Sequence, residues 1–563
     1  MYVKVTRSGT RRYVQLVEAF RDASGRAKQR TVASLGRLEQ VQGNLDSVIN
    51  GLRRVAGKEP LPPDEEVFAF SPARALGDLW ALDALWRELG FHRLNDCFRR
   101  QRYEIDIEAL TRIMVFNRLC DPESKLGVLR WLETVSFPGL TLASVDHQHL
   151  LRTMDALVDH QDAVENAIHG LLRPLVDQEL SVVFYDMTTI RAEGASEAEG
   201  DVRRYGLSKL GRIERQFMLG AVQTADGLPI YHEVFDGNTA EVTTLIPVIE
   251  KLTRRYPVRR LVVVADRGLL STDNLAELEA LTLPDGEPLE FILAVPGRRY
   301  RDFNPTVTDY HQRHCASAST EVTGEVQWGK HRLVIAYDPE TACQQSESRD
   351  QKIAELEAHA KNWCGKLDSQ DEGKRSRGRE LSDGGARARF YHAVKEARLA
   401  SIIRVDLKSE LFSYSIDQQA LQHARLMDGK LLLVTNVKDL TPEAIVTRYK
   451  SLADIERGFR VLKSELEIGP VYHRLPKRIK AHALICFIAL ILYRVMRQRL
   501  QTSHTGLSPE RALSVLSRVQ YHQLNREGQP WIQGVSTITP EQGELFSCLG
   551  AGKPHKKSTM MHL

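Results

Sequence analysis

Apolar and polar positions divide this chain into blocks with different periodicities. In the first forty residues apolar and polar side chains alternate, and Ser8-Gly9 and Ser24-Gly25 stand at the turns. Such alternation predicts a small β meander, which we assign to residues 1–56. After a proline-rich break, apolar residues recur every three or four positions from about residue 71 to residue 176, which predicts a helical domain.

From residue 177 the pattern changes to short apolar runs separated by helical segments. "LSVVFYD" and "RRLVVVAD" are continuous apolar runs that predict buried strands. "QFMLGAVQTADGLPIYHEVF" predicts two strands joined through Asp226-Gly227. The resulting order of strands and helices predicts a mixed α/β domain over residues 177–297, with helices packed on a sheet.

The α/β order is lost between residues 298 and 428. This segment holds the strand-like run "GEVQWGKHRLVIAYD", one predicted helix and a polar stretch, Ser369 to Arg389, with the composition of a loop. We interpret it as an insertion, because the α/β pattern resumes over residues 429–500, beginning with "GKLLLVTN". Residues 501–563 then form a C-terminal region with a basic tail.

Composition indicates a globular protein of several domains, with 42% hydrophobic and 27% charged residues in 563. The net charge of 77 − 73 = +4 is weak evidence for a polyanionic partner. The predicted meander, however, is locally rich in cations: Lys4, Arg7, Arg11, Arg12, Arg21, Arg26, Lys28 and Arg30. They form either a solvated sheet face or a surface that contacts phosphates.

Several classes of protein are disfavoured. The seven cysteines are scattered without a C-x-x-C pair, which argues against a zinc site and a disulfide framework. The first residues, "MYVKVTRSGTRRYV", show no apolar signal segment. The strongest apolar run, "ALICFIALILY", is too short to span a bilayer, so we expect a buried core helix and no membrane partner.

One helix carries a glutamate at the border of its apolar face. A continuous helix from Ile445 would bury a stripe of apolar side chains and place Tyr449, Glu456 and Lys463 along one edge of that stripe. Glu456 is then either an ordinary surface charge or a carboxylate of a functional site. Lys463 would either contact a phosphate or pair with Glu467 at the i+4 position.

Two aspartates stand at the predicted ends of apolar strands. Asp186 ends "LSVVFYD" and Asp266 ends "RRLVVVAD". Each could simply cap a turn, but open α/β sheets form their sites at the carboxyl ends of strands. If the two strands are neighbours, both aspartates face one cleft, which Glu456 can complete. Such a cluster is stable when it binds hard divalent cations, and two Mg²⁺ ions support phosphoryl transfer.

These motifs together resemble the Asp-Asp-Glu transposases of bacterial insertion sequences. The branch concerned has the signature Tyr, two residues, Arg, three residues, Glu, six residues, Lys. Tyr449, Glu456 and Lys463 match it, whereas Leu452 stands in the place of the arginine. "YDMTT", "VFDGNTAEVTTL", "ADRGLLS" and "LVTN" are similar to further stretches of the family.

The resemblance implies a ribonuclease-H-like catalytic core interrupted by a β-rich insertion. Asp186, Asp266 and Glu456 would be the catalytic residues and would hold two Mg²⁺ or Mn²⁺ ions. It also implies a cytoplasmic, nucleoid-associated bacterial enzyme that binds terminal inverted repeats, cleaves them and joins them to double-stranded target DNA as a homodimer. The residues expected to contact DNA are Tyr449, Lys463, Arg267, Arg460, Arg11 and Arg12.

Two alternatives stay open at this point. A DNA-binding protein derived from a transposase could have lost catalysis, although all three carboxylates are present. A metal-dependent nuclease without strand transfer would share the core chemistry of an active transposase. The sequence does not separate this nuclease from the transposase.

The basic meander generates a test. Replacing Arg11 and Arg12 together with Ala should weaken the binding of element-end DNA and reduce its salt slope by up to about two, because each phosphate contact contributes about 0.9. Fluorescence anisotropy at several salt concentrations measures this slope. An unchanged slope would place the DNA contacts elsewhere in the chain.

Overall fold

The computed structural model describes most of the chain. The described ranges are residues 1–60, 69–140, 145–175, 181–194, 199–208, 211–240, 243–256, 260–265, 272–283, 286–373, 381–525 and 532–554.

The N-terminal residues form the predicted antiparallel meander. Two helices follow it within the same region, and the pattern did not predict these helices. Its elements are β1 (Tyr2–Ser8), β2 (Arg11–Arg21), β3 (Ala27–Arg37), α1 (Leu38–Val41) and α2 (Leu45–Val55). The register of β1 and β2 sets Arg7 directly opposite Arg12. Like charges in such a cross-strand pair destabilise a sheet, so an anion bound here would be favourable.

The following block is mainly helical. It contains β4 (Ala69–Phe70), β5 (Arg74–Ala75), α3 (Gly77–Glu88), α4 (Ile107–Cys120), α5 (Lys125–Thr134), α6 (His147–Asp159) and α7 (Gln161–Leu172). Three of these helices have a side-chain cap at the N-terminus. The Asp106 side chain accepts from the Ala109 amide, that of Ser124 from the Gly127 amide, and that of Asp146 from the His149 amide.

A nine-stranded mixed sheet occupies the centre of the chain. The elements from residue 181 to residue 337 are β6 (Ser181–Arg191), β7 (Arg204–Leu207), β8 (Ile213–Thr224), β9 (Pro229–Asp236), α8 (Leu245–Arg255), β10 (Leu261–Ala265), α9 (Thr272–Ala280), β11 (Glu290–Ala294), α10 (Asn304–Tyr310), β12 (Val322–Trp328) and β13 (His331–Tyr337). The predicted hairpin turn lies between β8 and β9, where the Gly227 amide donates to the Thr224 carbonyl over 2.9 Å.

The rest of the chain is again mainly helical. Its elements are α11 (Pro339–Asp371), α12 (Asp383–Glu396), β14 (Ile403–Val405), β15 (Tyr414–Ile416), α13 (Gln418–Met427), β16 (Lys430–Thr435), α14 (Pro442–Lys450), α15 (Ala453–Ser464), α16 (Pro476–Thr502), α17 (Pro509–Leu516), β17 (Gln520–Asn525), β18 (Ile532–Val535) and α18 (Pro540–Cys548).

The order of the central sheet is β12-β13-β16-β11-β10-β6-β8, and the far edge of β8 pairs with both β7 and β9. β10 runs parallel to its two neighbours, β6 and β11. The other pairs in this sheet are antiparallel. An apolar core lies on each face of the sheet.

The predicted β-rich character of the insertion is wrong for most of its length. The hairpin of β12 and β13 extends the central sheet, because β13 pairs along its length with β16. After Tyr337 the insertion is mainly helical, with an apolar core of its own. Much of the predicted polar loop is helical in α11 and α12, and residues 374–380 lie outside the described residues.

Helix α16 connects the helical block to the sheet. It contains the apolar run from Ala483 to Tyr493 and packs against α4, α6 and β9. In the described part of the chain it alone meets the length and composition of a membrane span, and 94% of its apolar window is buried inside the protein. The predicted core helix is confirmed. Because β17 also pairs with β4 and β5, residues 69–175 and 501–554 are not separate units.

The separate core of the insertion can be tested. Phe390 of α12 is fully buried and packs edge-on against Phe412, with ring centroids 5.4 Å apart. Phe390→Ala should cost about 3–5 kcal/mol and raise amide hydrogen exchange over residues 339–428, with β6 and β10 still protected. Tyr391→Ala, which removes the neighbouring half-buried ring, is the control and should change exchange little. Equal loss of protection in β6 would show that the two cores unfold as one.

Candidate active site

The two strands that carry the predicted aspartates are neighbours in the sheet. β6 and β10 pair in parallel, with Tyr185 beside Ala265. β10 ends at Ala265, as the sequence predicts, and Asp266 follows directly in the chain. Asp266 and Arg267 themselves lie outside the described residues.

Asp186 does not end its strand, contrary to the prediction. β6 continues to Arg191, because Met187 to Arg191 pair with β8. Asp186 is thus held within the sheet, opposite Ala221, and is only 9% exposed. Its own chain helps to orient the carboxylate, since the Met187 amide donates to Oδ1 over 2.7 Å.

Alternation along β6 decides which helices Asp186 faces. Phe184 and Ile190, two residues before and four after it, belong to the core that contains Phe459 and Leu462 of α15. The intervening side chains, such as Tyr185, belong to the core on the other face. Because side chains alternate along a strand, Asp186 points to the face that α15 covers.

The helix predicted around Glu456 is two helices. α14 ends at Lys450 and α15 begins at Ala453, with Ser451 and Leu452 forming a turn between them. Tyr449 therefore lies on α14, half-buried, and does not share a helix edge with Glu456. α15 also ends at Ser464, so a helical i,i+4 pair between Lys463 and Glu467 is excluded.

Three exposed charged residues share one face of α15. Glu456, Arg460 and Lys463 are spaced by four and three positions, which brings them onto the same face over two turns. The adjoining side of the helix buries Phe459 and Leu462. Glu456 thus combines an exposed carboxylate with a backbone packed on the sheet.

Close backbone contacts hold α15 on this sheet. A Cβ at Gly458 would stand 2.4 Å from Nε2 of Gln223 and 3.0 Å from Nη2 of Arg494. A Cβ at Gly469 would stand 3.1 Å from Cγ2 of Ile190. Both glycines therefore permit approaches that a larger residue would obstruct, one within the helix and one just after it.

The chain after α15 is also tied to the end of β6. The Val471 amide donates to the Arg191 carbonyl over 3.0 Å, and the Glu193 amide donates to the Val471 carbonyl over 2.8 Å. Arg118 of α4 donates to the carbonyls of Leu466 and Glu467, at 3.4 and 3.3 Å. The position of α15 is consequently fixed from both the sheet and the helical block.

A buried ion network reinforces the same connection. Asp201 and Arg203 are each 1% exposed and form an ion pair of 2.8 Å, and Arg215 joins them at 3.1 Å. Arg203 also donates to the Arg474 carbonyl over 3.2 Å. The arginines hold the pKa of the Asp201 carboxyl below its usual value against the opposing effect of burial.

Sequence reasoning missed Gln223, a polar side chain at this site. It is fully buried on β8 beside Phe184, and in the described part of the chain neither polar atom of its amide has a hydrogen-bond partner. The position of Gly458 within a helical pattern could have indicated this close packing, because a glycine inside a helix often marks a close approach of its backbone to a neighbour. His232 has a structural role, since it stacks on Phe487 with ring centroids 4.4 Å apart, and burial lowers its pKa to about 4.

The described residues do not by themselves complete a metal site. Among them, no three His, Cys, Asp or Glu side chains come together closely enough to hold an ion. Asp266, the remaining predicted ligand, is outside that set.

Residues 177–492 match the family model of the transposase DDE domain, which covers more than half of the chain. The chain therefore belongs to the DDE transposases and is a DNA transposase, as its motifs predict. Residues 2–65 match the N-terminal domain of the IS1634 family transposases, which confirms the bacterial insertion-sequence class. The DDE domain further implies that the enzyme depends on a divalent metal ion.

Solved transposase structures are also similar to this chain, although distantly. A piggyBac transposase synaptic complex with hairpin DNA shares 8% identity, with 78% of this chain and 79% of that chain covered and a TM-score of 0.38. A Drosophila P element transposase strand transfer complex shares 13% identity, with 76% and 89% covered and a TM-score of 0.20. No curated protein matches the chain.

The close approach at Gly458 can be tested against a helical glycine in open space. Gly365 of α11 has no atom within 4 Å of an added Cβ, so Gly365→Ala should stabilise the protein by up to about 1 kcal/mol. Gly458→Ala should instead lower the unfolding temperature and reduce DNA cleavage, because the methyl group displaces α15 from β8. Thermal unfolding and a cleavage assay measure both. Stabilisation of similar size at the two sites would contradict this packing.

Proposed function

We propose that this transposase binds the terminal inverted repeats of its element, cleaves the ends and joins them to target DNA, with Asp186, Asp266 and Glu456 as the catalytic carboxylates. The observation that carries the proposal is the position of Asp186. It lies in the sheet face that α15 covers, on the strand next to the one that leads into Asp266.

The order of the sheet supports a ribonuclease-H-like core. β6, β8 and β9 form an antiparallel meander, and β10 and β11 follow in parallel on the other side of β6. In order of appearance these five strands are arranged 3-2-1-4-5, with Asp186 on the central first strand. The resemblance to the family implies this arrangement, and the five strands are consistent with it.

The carboxylates fit a hard divalent cation by the chemistry of their donor atoms. Asp186 presents an acceptor-only group in a largely buried position, where an ionised carboxylate requires compensation. We expect Asp186, Asp266 and Glu456 to hold two Mg²⁺ or Mn²⁺ ions. When bound, such ions activate a nucleophilic oxygen and stabilise the leaving oxygen of a phosphodiester.

The protein's own groups position the DNA around this site. The Met187 amide fixes the Asp186 carboxylate, and the packed face of α15 fixes the backbone of Glu456. Arg460 and Lys463, exposed on the same face of α15 as Glu456, are suited to contact phosphates on either side of the scissile bond. Tyr449 and Arg267 remain proposed DNA contacts of the same site.

The N-terminal meander is the part of the chain that we propose binds the ends of the element. Its cross-strand pair Arg7 and Arg12 gains stability from a neighbouring phosphate, and Arg11 lies beside them opposite Ser8. The family resemblance implies that two copies bridge the two ends of the element, so we propose a homodimer in the active complex. Acting on a bacterial genome, the enzyme would work in the cytoplasm at the nucleoid.

Charge-removing variants test the catalytic assignment. Glu456→Gln, Asp186→Asn and Asp266→Asn preserve size, so folding and DNA binding should persist while cleavage and joining fall by orders of magnitude. A labelled element end, a target plasmid and Mg²⁺ provide the assay, with binding measured in parallel. Glu465→Gln is the matched control, because Glu465 is exposed just beyond α15 and should leave both activities intact.

The outcomes separate the alternatives. Cleaved but unjoined ends from the wild-type protein would indicate a nuclease without strand transfer. Binding without cleavage in Mg²⁺ or Mn²⁺ would indicate a DNA-binding derivative. Near wild-type joining by Glu456→Gln would show that the third carboxylate lies elsewhere.

A further inference from the structure

A large cavity lies beside the connection between α15 and α16. Its volume is about 710 Å³, in the range of sites that hold small ligands. Its walls come from the end of α4, the starts of α5 and α6, and the segment from Glu467 to Arg478. Of the described residues that line it, none is Asp186 or Glu456.

Residues at the N-terminal ends of three helices line this cavity. The lining includes Ser124 and Lys125 at the start of α5, His147 at the start of α6, and Leu475 just before α16. None of these helices has an acidic residue in its first turn, although Asp146 caps α6. Helix N-termini carry partial positive charge and unsatisfied amides, so three of them together favour an anion.

A buried lysine in the same wall lacks a counter-ion. Lys125 is 6% exposed, and within the described residues it makes no ion pair or hydrogen bond. Burial, with a further contribution from the nearby Arg118, lowers its pKa to about 7. Burying an ammonium without a partner is costly, which suggests that the partner is a ligand.

A histidine adds a second polar group without a partner. His482 bonds through Nε2 to the Ile468 carbonyl at 2.9 Å, and its buried Nδ1 has no partner in the described part of the chain. Burial and the neighbouring cations hold its pKa well below the usual value. A bound anion would favour protonation of this ring and accept a hydrogen bond from Nδ1.

The carboxylates of the wall do not neutralise these groups. Glu123 and Glu467 line the cavity together with Arg118, Lys125, Arg474 and Arg478. The Ser124 amide donates to the Glu123 carboxylate over 3.3 Å. Arg478 is paired with Asp155 over 2.7 Å. The remaining cations outnumber the acids, and two of them, Arg118 and Lys125, are buried.

The mouth of the cavity is apolar and exposed. Tyr472 is 71% exposed, Leu126 59% and Leu475 42%. Exposed aromatic rings beside cations are the usual elements of a surface that stacks bases and contacts the backbone of a nucleic acid. A free anion would contact the cations but would make no favourable contact with these apolar side chains.

We propose that this cavity receives one phosphodiester of the element-end DNA, with the adjoining nucleotide packed on Tyr472. The inference rests on the proposed function. The segment that forms the cavity begins where Gly469 packs on Ile190, four residues along β6 from Asp186. β6 rises roughly 13 Å over these four residues, so this segment begins within about four nucleotides of the proposed cut, at about 3.4 Å each.

A scan of neutral phosphates tests this contact. Element-end duplexes that carry one methylphosphonate at a time are bound to the wild-type protein and to Lys125→Met. For the wild type, one position near the cut should lose about tenfold in affinity. Lys125→Met should bind unmodified DNA about tenfold more weakly and show no further loss at that position. Arg130→Gln, on the exposed side of α5, is the matched control and should give the wild-type profile.

Stability separates a ligand-binding lysine from a structural one. Lys125→Met should unfold at the same or a higher temperature, because it removes a buried charge. A marked fall would overturn the assignment, since Lys125 would then support the fold. Tyr472→Ala, at an exposed position, should weaken DNA binding without changing the unfolding temperature, and unchanged binding would overturn the role of the rim.

Further outcomes distinguish failure of the cavity assignment from failure of the proposed function. If titrated inorganic phosphate binds through Lys125 and no methylphosphonate position depends on that residue, the ligand is a free anion and the DNA assignment is wrong. If the wild type bound element ends no better than random duplexes, the proposed function would fail. Specific binding without any position coupled to Lys125 would overturn only the cavity assignment.

Discussion

The parallel pairing of β6 with β10 is the constraint on which the site depends. It sets Ala265 beside Tyr185, and both strands are buried on both faces, so a slip of one residue would exchange their two apolar cores. Register is therefore strongly specified by burial. The same register ends β10 at Ala265, one residue before Asp266 in the sequence, and so the hydrophobic packing of the sheet determines where the proposed carboxylates can meet.

Helix α15 carries Glu456, the proposed third carboxylate, and several independent contacts hold this helix on the sheet. Gly458 and Gly469 allow close packing, the Val471 amide extends the backbone pairing of β6, and Arg118 holds the helix end from α4. The helical block thus acts on the catalytic core through the connection that also forms the cationic cavity. The segment after α15 contacts β6 and also lines the proposed phosphate pocket, so DNA bound in the pocket would be positioned relative to Asp186.

Local signals were sufficient for much of the core but not for its long-range pairing. The continuous apolar run that ends at Ala265 identified a buried strand, and Glu456 was identified by spacing within a motif. The sequence could not show that β13 joins β16, because alternation defines a strand but not its partner some ninety residues later. The turn at Ser451 and Leu452 has no proline or glycine, so the break between α14 and α15 left no local signal. Asp186 was expected at a strand end, because the polar residues that follow conceal the pairing with β8.

The central claim is that Asp186, Asp266 and Glu456 meet around a divalent metal ion. Iron(II) substituted for Mg²⁺ reduces added hydrogen peroxide to hydroxyl radicals, with ascorbate regenerating the iron(II). The radicals cleave the polypeptide next to the bound ion, and mass spectrometry locates the cuts. The account predicts cleavage in three segments, around residue 186, around residue 266 and in the first turns of α15, all suppressed by excess Mg²⁺ and all lost in Asp186→Asn. Cleavage that omits one of these segments, or that persists in Asp186→Asn, would contradict it.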